Sequence, residues 1–177
     1  MLNALRAAVL AAVWLSLAAP CLATDAASVP EAKRTTLGLY LTSEEVPSFL
    51  AEKNGRSLFV DVRAPEELAA SGVATAVDAN VPLFLLPGAD GKPQPNRDFV
   101  AQVTSRMAAK GLTKHDAGIV MCRTGRRSAL AASLLGEFGF AQVYSVIDGY
   151  EGDGPGMKGW KGAGLPWRQA AAPAQPN

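Results

Sequence analysis

Gly118-Ile119-Val120-Met121-Cys122-Arg123-Thr124-Gly125-Arg126-Arg127-Ser128 runs from an apolar stretch, through a sulfur, into a glycine and a cluster of arginines. A short apolar run bounded by turn signals reads as a buried strand. It delivers Cys122 to its carboxyl end, the edge where open α/β sheets hold their chemistry. Gly125 admits the positive φ that a tight return needs. From Ser128 to Phe138 the pattern is helical, with Leu130, Leu134 and Phe138 on one stripe and Gly139 as the stop. Strand, loop and helix in this order predict one unit of an α/β fold.

The flanking sequence repeats the alternation. Ala141 to Ile147 is a further strand, and Ser57 to Val62 another, apolar except for Ser57 and Asp61. Thr42-Ser43-Glu44-Glu45 predicts a helix start, a hydroxyl cap followed by carboxylates, with Val46, Phe49 and Leu50 at helical spacing and Asn54-Gly55 as the end. Pro65-Glu66-Glu67-Leu68 begins a short helix closed by Gly72. A weaker strand falls within 76–83. Residues 86–97 carry Pro87, Gly88, Gly91, Pro93 and Pro95 and read as a loop. Phe99, Val103 and Met107 mark a helix to Lys110. Residues 149–164 are rich in glycine and read as irregular. The alternation predicts an α/β domain around a mainly parallel sheet flanked by helices.

The amino end has a different character. Arg6 is the only charge before Asp25, and Ala7 to Ala19 is apolar. A basic start, a short apolar run and small residues at 20–23 predict a secretory signal peptide over 1–23. The run is shorter than the roughly 20 residues a spanning helix needs, so no stable membrane insertion is expected after cleavage. Cleavage after Ala23 removes one arginine and one cysteine, leaving 16 basic and 16 acidic residues and Cys122 as the lone thiol. Pro20 beside Cys21 is a poor fit to a lipidation site. The expected compartment is periplasmic or secreted. Residues 24–37 read as a leader, 38–167 as the domain and 168–177 as a loose tail. A full-chain charge of +1 lacks the basic excess of a nucleic-acid binder.

An unpaired cysteine in an oxidising compartment is either inert or reactive. Here glycine, the positive end of a helix dipole, and Arg123, Arg126 and Arg127 all favour a thiolate. Thiolates in anion nests serve several chemistries. A phosphatase-type Cys-x5-Arg loop needs arginine six positions after the cysteine. That position is Ser128, and Arg127 stands at the fifth. The shorter loop suits a single sulfur atom better than a phosphate.

Cys122-Arg123-Thr124-Gly125-Arg126-Arg127, with Ser128 next, resembles the six-residue active loop of rhodanese-like sulfurtransferases. Three further stretches agree. Asp61-Val62-Arg63 resembles the family's Asp-x-Arg segment. Ile147-Asp148-Gly149-Tyr150-Glu151-Gly152 resembles its Gly-Gly-aromatic-Glu-Gly stretch, and Gly164-Leu165-Pro166 its closing Gly-x-Pro. Two positions depart. Asp148 replaces the first glycine of the usual pair, and a glycine-rich insertion, 153–159, delays the following tryptophan to Trp160.

The resemblance implies a three-layer α/β domain and covalent sulfur transfer without a cofactor. Cys122 attacks the sulfane sulfur of a small anionic donor such as thiosulfate, and a thiol acceptor removes it. The loop from Arg123 to Arg127, including Thr124 and Gly125, is expected to bind substrate, with Arg126 and Arg127 favouring the anion and Arg123 left open between binding and steering. Asp61, Arg63 and Ser128 are expected to support, Asp61 either by orienting the loop or by pairing with Arg63. His115, the single histidine, reads as a surface residue, and one histidine with one cysteine is too few for a zinc site. Three rival readings stand beside this one: a non-turnover sulfur-carrier or binding module, a phosphatase-like enzyme and a purely structural domain.

Overall fold

The computed structural model describes residues 24–86 and 91–170. The expected signal peptide and residues 171–177 of the expected tail lie outside them.

Five parallel strands form the central sheet, in the order β1 (Tyr40–Leu41), β8 (Gln142–Val146), β7 (Ala117–Met121), β2 (Ser57–Asp61) and β4 (Ala79–Asn80). Strands β2 and β7 are buried along their whole length, as a parallel sheet covered on both faces requires. Alternation then sorts their side chains. Leu58, Val60 and Val120 face a core with Val103 and Met107 of α3 (Phe99–Ala109) and Leu135 of α4 (Arg126–Glu137). Phe59, Ile119 and Met121 face the opposite core, with Phe49 of α1 (Val46–Lys53), Tyr150 and Trp160. The mainly parallel three-layer architecture is the one expected.

Several local expectations shift. Helix α1 begins at Val46, because the Glu45 carboxylate turns back to accept from the Thr42 amide (2.6 Å) and hydroxyl (3.0 Å). The weak strand within 76–83 shrinks to β4. The proline-rich loop contains a short antiparallel pair, β5 (Phe84–Leu85) with β6 (Gln94–Pro95). On α4 the expected stripe is split, since Leu134 packs against the core and its two neighbours in the stripe do not. Leu130 and Phe138 are exposed, and Ala129, Ala131, Ala132 and Leu135 meet the core. Arg168, expected to open the tail, pairs with Val73 where β9 (Trp167–Arg168) meets β3 (Val73–Ala74). The irregular stretch 149–164 includes one short helix, α5 (Gly159–Gly162).

The segment expected as a leader is packed onto the domain. Leu37 lies against Gly136 of α4, and the Thr36 amide donates to Ser133 Oγ (3.2 Å). Val29 is buried with Tyr40 and Ile147, and Met157 of the insertion packs against them. Lys33 is buried too, with Nζ 3.2 Å from Asp153 Oδ2. The amino-terminal segment and the glycine-rich insertion thus clasp one another beside the Cys122 loop.

Candidate active site

Three parallel strands end together at one edge. β7 ends one residue before Cys122, β2 ends at Asp61, and β8 leads into Ile147-Asp148-Gly149. The loop turns sharply at Gly125, with φ of +98°. A Cβ there would overlap the Ile147 carbonyl oxygen, so the loop closes against the neighbouring strand end only with glycine. Gly149 plays the complementary part, since a Cβ on it would lie 2.7 Å from the Cys122 and Arg123 carbonyl oxygens. The Tyr150 amide donates to the Cys122 carbonyl (2.8 Å) and the Glu151 amide to the Arg123 carbonyl (2.9 Å). The two segments therefore fix one another.

Cys122 is a free, buried cysteine. Its Sγ accepts from the Gly125 amide at 3.2 Å, and Ser128 Oγ lies 3.4 Å away. Ser128 Oγ is also near the carbonyls of Gly125 (3.0 Å) and Val146 (3.3 Å), so its single proton has three competing acceptors. Gly125 caps α4, which puts Arg126 and Arg127 in the first helical turn, two residues earlier than the pattern suggested. Among the described residues, the Gly125 amide and the Ser128 hydroxyl are the donors within hydrogen-bond reach of the sulfur. Thr124 is half-buried within the turn.

The three arginines separate into different roles. Arg127 is held by Glu67 of α2 (Pro65–Ser71) through two hydrogen bonds of 2.6 Å. Its guanidinium is held above its ordinary value by that bond, against burial, with help from the nearby charges of Glu67, Cys122 and Asp61. Arg123 is exposed and sits 3.5 Å from Glu151. Arg126 is exposed with no ion-pair partner among the described residues. Arg127, expected to favour the anionic donor, has its charge matched by Glu67, which ties the loop to α2.

Asp61 and Arg63 form a fully buried pair. Asp61 Oδ2 accepts from Arg63 NH2 (2.7 Å), and Oδ1 from the Arg63 amide and Nε (3.0 Å each). The guanidinium lies 4.0 Å over the Tyr150 ring and donates to the Gly72 carbonyl. Of the two roles open to Asp61, the geometry fits the structural one. It anchors Arg63 beneath the segment that fixes the loop.

Sequence reasoning missed three residues. Glu67 was read only as a helix former, although an arginine in a first helical turn needs an acid to offset the dipole. Asp148 is buried and accepts from the Ser43 amide (2.8 Å) and hydroxyl (2.9 Å) and from the Gly159 amide (3.0 Å), so it ties the insertion to the start of α1. Lys33 carries no signal at all in an alanine- and proline-rich stretch.

Burial opposes the Glu67 charge. Hydrogen bonds from Arg127 and the Ala64 amide, with the charges of Arg127 and Arg63, outweigh it and hold the carboxyl below its ordinary value. A depressed folded-state value means that the unfolded chain binds the proton more readily, so the brace stabilises the fold above the ordinary value of about 4.3 and is lost as pH falls through the lowered one. Urea midpoints measured across acidic pH should show the stability gap between wild type and Glu67→Gln narrowing below about pH 4.3.

Known proteins resemble this chain in sequence and fold. Residues 43–153 match the rhodanese-like domain. The RP600 homolog of Rickettsia rickettsii, an uncharacterized protein, is 34% identical over 115 residues, 65% of this chain and 85% of its own length. Thiosulfate sulfurtransferase 16 of Arabidopsis thaliana is 34% identical over 108 residues, 61% of this chain and 77% of its own. The crystal structure of Rv0390 from M. tuberculosis superposes with a TM-score of 0.58 at 30% identity, over 73% of this chain and 96% of that one. The chain belongs to the rhodanese-like domain family and is of the sulfurtransferase type.

Proposed function

We propose that Cys122 accepts a sulfane sulfur from a small anionic donor such as thiosulfate and passes it to a thiol. The observation that supports this best is the Gly125 amide donating to one buried sulfur, with the Ser128 hydroxyl within reach of it. In the first step the Cys122 thiolate attacks the outer sulfur of thiosulfate. The S–S bond of the donor breaks, sulfite leaves with its electron pair, and Cys122 carries a persulfide anion. In the second step an acceptor thiolate attacks the outer persulfide sulfur and the electron pair returns to Sγ. Splitting the transfer in this way is nucleophilic covalent catalysis. No base is required when the nucleophile is already ionised.

Arg126 is the charge left to draw the donor in. Arg126→Ala should raise the thiosulfate KM about two- to fivefold with little change in kcat, and the difference should shrink as salt is added. Steady-state kinetics at two ionic strengths read this out.

The direct test is an intact mass after incubation with thiosulfate. A gain of one sulfur atom, blocked by prior alkylation of Cys122, supports the proposal. No gain with a free thiol overturns thiosulfate as donor. A second reading draws on the burial of Cys122: a persulfide held in that setting could be carried to a protein partner without rapid turnover. A stable persulfide with slow release to small thiols would favour it. Export to the periplasm or medium belongs to the proposal as well, and its support is the sequence of residues 1–23.

A further inference from the structure

Beside the Cys122 loop lies a cavity of about 510 Å³, lined by Phe84, Leu86, Pro93, Glu67 and Arg127. This is the size of a small-ligand site, and among the described residues its walls are apolar apart from one pair of charges. Those charges cancel, since Glu67 and Arg127 hold one another in two short hydrogen bonds. The cavity therefore offers little to a compact dianion such as thiosulfate and much to an uncharged apolar body. It also borders the chemistry, since Arg127, which lines it, belongs to the loop that carries Cys122. Phe84 is set in place by the β5–β6 pairing, so the apolar wall is a built feature of the fold.

We infer that this cavity selects the sulfur acceptor, and that the acceptor is a thiol on an apolar body. The inference rests on the sulfurtransferase reading above and names the substrate class of its second step. The body occupies the cavity between Phe84, Leu86 and Pro93. The thiolate attacks the outer sulfur of the Cys122 persulfide, the bond from that sulfur to Sγ breaks, and the electron pair stays on Sγ. The products are the acceptor's persulfide anion and the Cys122 thiolate, with no net oxidation.

The test separates loading from unloading. Full-length protein is first charged with thiosulfate or polysulfide, and the persulfide is verified by intact mass. Unloading is then timed with 2-phenylethanethiol and with 2-mercaptoethanol, whose thiols are alike but whose bodies differ. The wild type should unload to the aromatic thiol at least about tenfold faster, the scale on which an apolar pocket discriminates. Phe84→Ala should remove that preference while leaving unloading to 2-mercaptoethanol within about twofold. Leu86→Asn, at the half-buried rim, repeats the test without touching the strand pair. Equal rates for the two thiols in the wild type overturn the inference and leave the sulfurtransferase reading standing. So does a preference that survives both substitutions. Failure to load from either donor overturns that reading and the inference together.

Discussion

Cys122→Ser abolishes sulfur loading and brings turnover down to background, a loss of at least about 10⁴-fold if the nucleophile behaves as others do. The substitution is nearly isosteric. The hydroxyl oxygen can still accept from the Gly125 amide, and the glycine turn against Ile147 is untouched. Folding should therefore survive, and the thermal midpoint should stay within a few degrees of wild type. What is lost is chemical. A serine hydroxyl remains protonated near neutral pH, and the loop contains no general base to activate it. Intact mass after thiosulfate, together with a melting curve, checks both halves. A serine variant that still gains a sulfur atom would move the chemistry away from position 122.

Asp61→Asn should give the largest loss of stability, about 3–5 kcal/mol, the range found when one member of a buried ion pair is removed. The arginine left behind is fully buried, and its guanidinium cannot reach water without opening the strand edge. An asparagine amide would turn donors toward donors at a site where the carboxylate accepts from Nε, NH2 and a backbone amide. The urea midpoint reads the effect. Adding Arg63→Met should recover part of the loss, because it removes the stranded charge. If the double variant is as unstable as the sum of the two single ones, the pair is not what anchors this edge.

Both predictions concern residues that were visible in the sequence, and the reasons are local. β2 and β7 are short, largely apolar runs bounded by turn signals, and such runs announce buried strands. Cys122, Gly125 and the arginines lie within six positions, so the candidate site could be read as a unit. The helix stripe misled at Leu130 and Phe138, which share perfect spacing with the core-packed Leu134, whereas the inner face is mostly alanine. Alanines carry little hydrophobic signal, yet they let α4 approach the sheet closely. The β5–β6 pair was hidden under prolines that normally argue against strands, although Pro95 sits in a short exposed edge where proline is tolerated. Arg127 and Glu67 are 60 positions apart. No spacing rule connects them, and only the parallel sheet, by bringing the ends of β2 and β7 side by side, lets them meet.

The clasp between Lys33 and Asp153 also sets an order of acquisition. Lys33 is 3% exposed and Asp153 37%, so the two are not equally dependent. An aspartate at 153 without its partner would remain partly hydrated. A lysine at 33 without its partner would leave a buried ammonium beside the Met157 sulfur, a weak acceptor. A lineage that changes one residue at a time and stays folded therefore gains the carboxylate first and the lysine afterwards, and it loses them in reverse.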